Sequence, residues 1–142
     1  MTDIHAAIGR VQLTKLAGWT KTRQENAVFL SQNITEVVTP AVPEGYVHVY
    51  HQYTIRLEGA TGEERDRFVT ALKEEHQVGS GVYYPIPNHR LPSLAPYAPG
   101  LELPNTEKVA AECVSLPVHP SLSQADLERI IAGVNACAKA GA

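Results

Sequence analysis

The chain has 142 residues, a formal net charge of −3 and 44% apolar residues. That length suits one domain with a real core, and the composition argues against disorder. The absence of a basic run argues against a nucleic-acid surface, and no stretch has the length of an apolar membrane span or the pattern of a signal peptide. Cys113 and Cys137 stand far apart and match no metal or redox spacing, so they are expected as reduced, buried thiols in a cytoplasmic protein.

In chain order, Thr2-Asp3 offers a helix start, and Ile4, Ala7, Ile8 and Val11 follow at helical spacing, with Leu16 continuing the face. A break is expected near Gly18. A second helical stretch then runs from about Trp19 to Asn33, with Ala27, Leu30 and Ile34 on one side and Lys21, Arg23 and Glu25 on the other. Val37-Val38-Thr39 reads as a short strand closed by Pro40, and Pro43-Glu44-Gly45 as a turn. Val47 to Leu57, dense in β-branched and aromatic residues, is the strongest strand signal. On it Val47, Val49, His51, Tyr53 and Ile55 share one face.

A helix is expected from Glu63, turning Phe68, Val69 and Leu72 inward and ending around His76-Gln77; a strand follows from Val78 to Tyr84. Residues 91–104 carry four prolines and read as irregular. Thr106 is positioned to cap a short helix containing Val109, Ala110 and Cys113, and Val114 to Pro117 reads as a brief edge strand. Ser123 and Asp126 make a capping-box-like start to a last helix with a buried stripe of Leu127, Ile130, Ile131 and Val134. The order α-α-β-β-α-β-α-β-α predicts an α+β fold: an N-terminal helix pair, then a small, mostly antiparallel sheet covered by helices.

The stretch from Gly81 to His89 stands out chemically. Pro85 and Pro87 fix their own φ and push Tyr84 and Ile86 towards extended conformations, so Tyr83, Tyr84, Asn88 and His89 come from a backbone with little freedom. That suits a ligand-contacting loop, although taken alone the stretch reads first as an edge strand ending in a surface turn. His48 and His51 fall on opposite faces of a strand and cannot share a metal ion, so no metal site is expected. No serine sits in a Gly-x-Ser-x-Gly elbow, and Gly79-Ser80-Gly81 lacks the lysine of a phosphate loop.

Four stretches together resemble one family, the sugar aminotransferases of the DegT/DnrJ/EryC1/StrS type, which use pyridoxal phosphate. Residues 1–9, MTDIHAAIG, are similar to the family's run after an Asn-x-Arg pair. His48-Val49-Tyr50-His51-Gln52-Tyr53-Thr54-Ile55-Arg56 is similar to a central strand of its small domain. Val82 to His89 is similar to its Tyr/His-Tyr-Pro-x-Pro-x-His segment, with Asn88 where a small apolar residue is common. Ser115-Leu116-Pro117-Val118-His119-Pro120 before an acidic helix resembles its C-terminal end.

The resemblance implies the C-terminal part of an enzyme that moves an amino group from glutamate to a keto group of a nucleotide-linked sugar. Residues 1–34 would then link to a large domain that carries the cofactor lysine, and 35–142 would form the small α+β domain. A helix beginning at residue 2, with Met1 matching an internal methionine of the family, reads as a frame that opens inside an aminotransferase. Tyr83, Tyr84, His89 and, with less support, His51 become the substrate-side contacts. No catalytic, cofactor-binding or metal-binding residue is assigned, and no cofactor is expected on this chain alone. The expected partners are a separately encoded N-terminal part, a nucleotide-sugar ligand and, through uncovered apolar helix faces, a second copy. The alternative is a non-catalytic remnant or a small binding module.

Overall fold

Thr2 opens the first helix, its hydroxyl oxygen accepting the His5 N–H at 3.4 Å. The computed structural model describes residues 1–140, which form α1 (Asp3–Asn33), β1 (Tyr53–Arg56), α2 (Gly62–His76), α3 (Pro104–Glu112), β2 (Cys113–Leu116) and α4 (Gln124–Ala140). Short 3-10 turns occupy Asn88–Arg90 and Ala95–Tyr97. The fold is α+β, with a small antiparallel sheet and helices packed around it. No helix among the described residues is long and apolar enough to cross a membrane.

The expected break near Gly18 does not occur; α1 runs unbroken for 31 residues. A glycine inside a helix costs only about 1 kcal/mol relative to alanine, too little to stop a helix anchored further on. The anchor is its second half, where Ala27, Leu30 and Ile34 enter the core and Asn26 Nδ2 donates to His119 O at 3.2 Å. The first half is different. Ile4, Ile8, Val11, Leu13 and Leu16 are each more than half exposed. At helical spacing Leu13 lies nearly opposite Ile4, Ile8 and Val11, so apolar residues surround this half.

The sheet pairs Tyr53 with Leu116 and Ile55 with Val114. Val38 bridges Arg56 on the outer side of β1, and Gly81 bridges Ser115 on the outer side of β2. β2 is therefore flanked on both sides and all four of its residues are buried, not the edge strand expected. The strands expected at 37–39 and 78–84 reduce to these two bridges.

The long strand expected over 47–57 pairs only at Tyr53–Arg56. Its first half is claimed by α1. Arg23 Nη1 donates to Tyr50 O at 3.2 Å, and Gln24 Nε2 donates to His48 O at 3.0 Å. Tyr50 takes a left-handed φ of +47°, and its N–H donates to His48 Nδ1 at 2.8 Å. These bonds replace a sheet ladder, so Val47, Val49 and His51 are exposed while Tyr53 and Ile55 are fully buried. The predicted common face of all five residues is absent.

α2 begins at Thr61 with a capping box, Glu64 N–H donating to the Thr61 hydroxyl and Thr61 N–H to the Glu64 carboxylate. α4 begins with the predicted Ser123–Asp126 box: Ser123 N–H donates to Asp126 Oδ2 at 2.9 Å, and Asp126 N–H donates back to Ser123 Oγ at 3.2 Å. The two helices pack closely at Gly133, where a Cβ would come within 2.9 Å of His76 Cβ. Leu127, Ile130, Val134 and Cys137 from α4 meet Phe68 and Leu72 from α2 in the core.

Two buried charges brace α3. Arg65 on α2 donates from Nη1 to the carbonyls of Ala110 and Ala111 at the end of α3. Glu112, 1% exposed, accepts from Arg56 Nη1 at 3.0 Å and from Gly59 N–H at 2.9 Å. α3 starts at Pro104, not at the predicted Thr106 cap. Proline at the first helical position supplies a preset φ and forfeits no intrahelical bond.

Candidate functional site

After Gly81 the chain leaves the sheet, and the proline-locked segment turns back over α3. Between them lies a cavity of about 700 Å³. Tyr83, Tyr84, Pro87, Asn88 and His89 line one side; Leu103, Asn105, Thr106, Val109 and Cys113 line the other. That volume lies in the range of small-molecule sites, and the wall is mostly apolar with a few polar groups. Tyr83 and Tyr84 are 55% and 74% exposed, their rings edge-to-face with centroids 6.1 Å apart. A Cβ on Gly81 would fall 2.6 Å from the Tyr83 phenol, so this ring lies directly on the backbone at that glycine.

His89 is placed differently from the tyrosines. Its side chain is 6% exposed, and Nε2 lies 2.8 Å from Glu107 Oε1 on α3. The same oxygen accepts from Arg90 Nη2 at 2.8 Å, from Arg90 Nε at 3.2 Å and from the Leu103 N–H at 3.4 Å. The His89 bond, then those of Arg90 and Leu103, hold the Glu107 carboxyl at about 2 against an ordinary 4.5. Glu107 thus ties the 3-10 turn to the first turn of α3 and fixes both sides of the cavity.

Three of the four predicted contact residues, Tyr83, Tyr84 and His89, come together here. His51 does not: it is exposed just before β1 and lies outside the cavity lining. The sequence marks Thr106 only as a helix cap, and Asn105 and Glu107 not at all, because a polar first turn of a short helix is ordinary; only Pro104 signals where that turn begins. Both cysteines are free and buried as expected, and burial pushes both thiols up. Cys113 therefore lines the cavity as a small apolar group, not as a nucleophile. No cluster of metal-ligating side chains occurs among the described residues.

Phenols, one imidazole and an apolar floor suit a ligand that is hydroxyl-rich and carries a ring. Residues 1–135 match the model of the DegT/DnrJ/EryC1/StrS aminotransferase family. The chain is 36% identical over 138 residues to a pleiotropic regulatory protein of Geobacillus stearothermophilus, covering 92% of this chain and 35% of that protein. It is 33% identical over 132 residues to a UDP-N-acetyl-3-dehydro-alpha-D-glucosamine 3-aminotransferase of Acidithiobacillus ferrooxidans, covering 92% of this chain and 34% of that one. Its fold superposes on the crystal structure of the aminotransferase TlmJ from Streptoalloteichus hindustanus with a TM-score of 0.84 at 30% identity, covering 97% of this chain and 36% of TlmJ. The chain thus spans about a third of the length of these relatives, the extent of a C-terminal portion of such an enzyme.

Proposed function

Because the chain belongs to the DegT/DnrJ/EryC1/StrS aminotransferase family, we propose that it serves as the C-terminal portion of a pyridoxal-phosphate enzyme that transfers an amino group, from glutamate, to a keto group of a nucleotide-linked sugar. In this reading residues 1–34 link to a cofactor-bearing large domain, and 35–142 supply one wall of the sugar cleft in a cytoplasmic enzyme. The observation that carries it is the cavity: a chain matching the family over residues 1–135 brings Tyr83, Tyr84 and His89 together against α3. Tyr83 and Tyr84 bond and stack on the sugar; His51 lies outside this cavity and has a role only if the large domain brings ligand to it.

Pyridoxal phosphate supplies the electron sink and the temporary amine carrier when it is bound. It needs a lysine to hold it and an acidic partner for its ring nitrogen, and among the described residues no lysine and no carboxylate lines this cavity. Lys21 pairs with Glu25 at 3.7 Å and Lys108 lies 3.9 Å from Glu112. The residues present do not fit the cofactor alone; in this reading the cofactor-bearing large domain completes the site. What this chain does is bind, orient and enclose the sugar.

An absorbance titration with pyridoxal phosphate tests the division of labour. The chain alone gives no lysine-bound cofactor band; the chain mixed with the large domain of the Acidithiobacillus relative gives one. A lysine-linked cofactor on this chain alone overturns the reading.

A further inference from the structure

We infer that Glu107 is a positioning residue for the sugar: it locks His89 as the Nε2–H tautomer and so presents Nδ1 as a hydrogen-bond acceptor for a ligand hydroxyl. The inference rests on the proposed sugar cleft and assigns a role within it to a residue on α3.

The chemistry follows from three observations. First, the Glu107 carboxyl is ionised throughout the neutral range, so in the 2.8 Å contact it accepts, and Nε2 of His89 carries the proton. Where the ring holds a single proton, that proton is on Nε2 and the lone pair is on Nδ1. Second, no hydrogen-bond partner of Nδ1 occurs among the described residues. The one side-chain polar atom there that is buried without a partner is Ser80 Oγ, so Nδ1 keeps some exposure. His89 itself lines the cavity. Third, the ring cannot easily turn to present its other nitrogen. Its side chain is 6% exposed, and rotation breaks a contact to a carboxylate also held by Arg90 and the Leu103 N–H. The arrangement is a carboxylate–histidine pair whose open nitrogen accepts. A sugar hydroxyl donates to it; a keto oxygen or a phosphate oxygen has no proton to donate and is disfavoured there.

Two measurements separate this inference from the function it rests on. Long-range proton–nitrogen NMR on the labelled chain alone reads the tautomer of His89, its signal identified by loss in His89→Gln. The expected result is a single Nε2–H form in the native chain and in Glu107→Gln, which keeps an acceptor, and a mixture in Glu107→Ala. An Nδ1–H form or a mixture in the native chain overturns the inference whatever the enzyme does. In the two-part enzyme, with UDP-N-acetyl-3-dehydro-α-D-glucosamine as the probe, Glu107→Ala raises KM about tenfold, equivalent to about 1.4 kcal/mol, with a smaller change in kcat. Glu107→Gln restores most of the loss. A purely structural role lowers the folded fraction instead, leaving KM of the folded enzyme at the native value, and that outcome also overturns the inference. If the pair shows no transfer at all while the native tautomer is as expected, the proposed function fails and the positioning of His89 stands.

Discussion

Gly81 and Ser115 exchange both of their backbone hydrogen bonds, Gly81 N–H to Ser115 O at 3.0 Å and Ser115 N–H to Gly81 O at 2.7 Å. This single bridge fastens the aromatic-proline segment to β2, which is buried and flanked on both sides. Everything beyond Gly81 is aimed from that point. The Tyr83 ring lies back over the glycine, and the proline-locked chain carries Tyr84 and His89 across to α3.

Gly81→Ala therefore moves the Tyr83 ring. The new Cβ would sit 2.6 Å from the phenol, and the exposed ring swings away. We expect a stability loss below about 1 kcal/mol, typical of a surface change, but a clear loss of sugar affinity in the two-part enzyme. Urea unfolding and a binding titration check the pair of effects. Native affinity in a well-folded variant would show that the Tyr83 position does not matter to the ligand.

Glu112→Ala should be among the most damaging substitutions away from the cavity. It strands Arg56 and the Gly59 N–H, both held by a carboxylate that is almost fully buried. Removing one partner of a fully buried pair costs about 3–5 kcal/mol; Arg56 is 31% exposed and can reach water, so about 2–3 kcal/mol is expected. Chemical denaturation measures it, and a loss below about 0.5 kcal/mol, the level of an ordinary surface change, would contradict the role.

The Glu107 tie predicts a pH dependence with a definite sign. Its carboxyl sits at about 2 in the folded chain against an ordinary 4.5, so its contribution is full above the unfolded value and is lost as pH falls through the folded one. The stability gap between the native chain and Glu107→Gln should narrow from pH 4.5 downward and close near pH 2. A gap constant across that window would mean that the contacts of Glu107 carry no net stabilisation.

The first half of α1 predicts association. Ile4, Ile8, Val11, Leu13 and Leu16 are exposed around the helix, a distribution that calls for cover on more than one side. Light scattering of the chain alone should show self-association, reduced by Ile8→Glu with Val11→Glu and relieved by adding the large domain. A cleanly monomeric native chain would mark it as an independent domain.

Where local spacing decides structure, the sequence was a good guide. The helix expected from Glu63 to about His76 is observed at Gly62–His76, the Ser123–Asp126 start of α4 is present, and of the expected stripe Leu127, Ile130 and Val134 are buried while Ile131 is half-buried. It failed where distant side chains intervene. Nothing in residues 47–52 announces that Arg23 and Gln24 take up the carbonyls of Tyr50 and His48, which ends the expected strand. The cavity was half legible. Its aromatic-proline wall carries a motif; its other wall depends on Glu107 reaching back across 18 residues to His89, a pairing with no local signature.

Amino transfer from glutamate to UDP-N-acetyl-3-dehydro-α-D-glucosamine can be followed with two separately made parts, this chain and the large domain of the Acidithiobacillus relative without its own C-terminal third. A site shared between the two parts predicts no turnover from either part alone and turnover from the mixture, reduced by Tyr84→Ala. Turnover by the large domain alone, or none from a mixture that light scattering shows to be complexed, would contradict it.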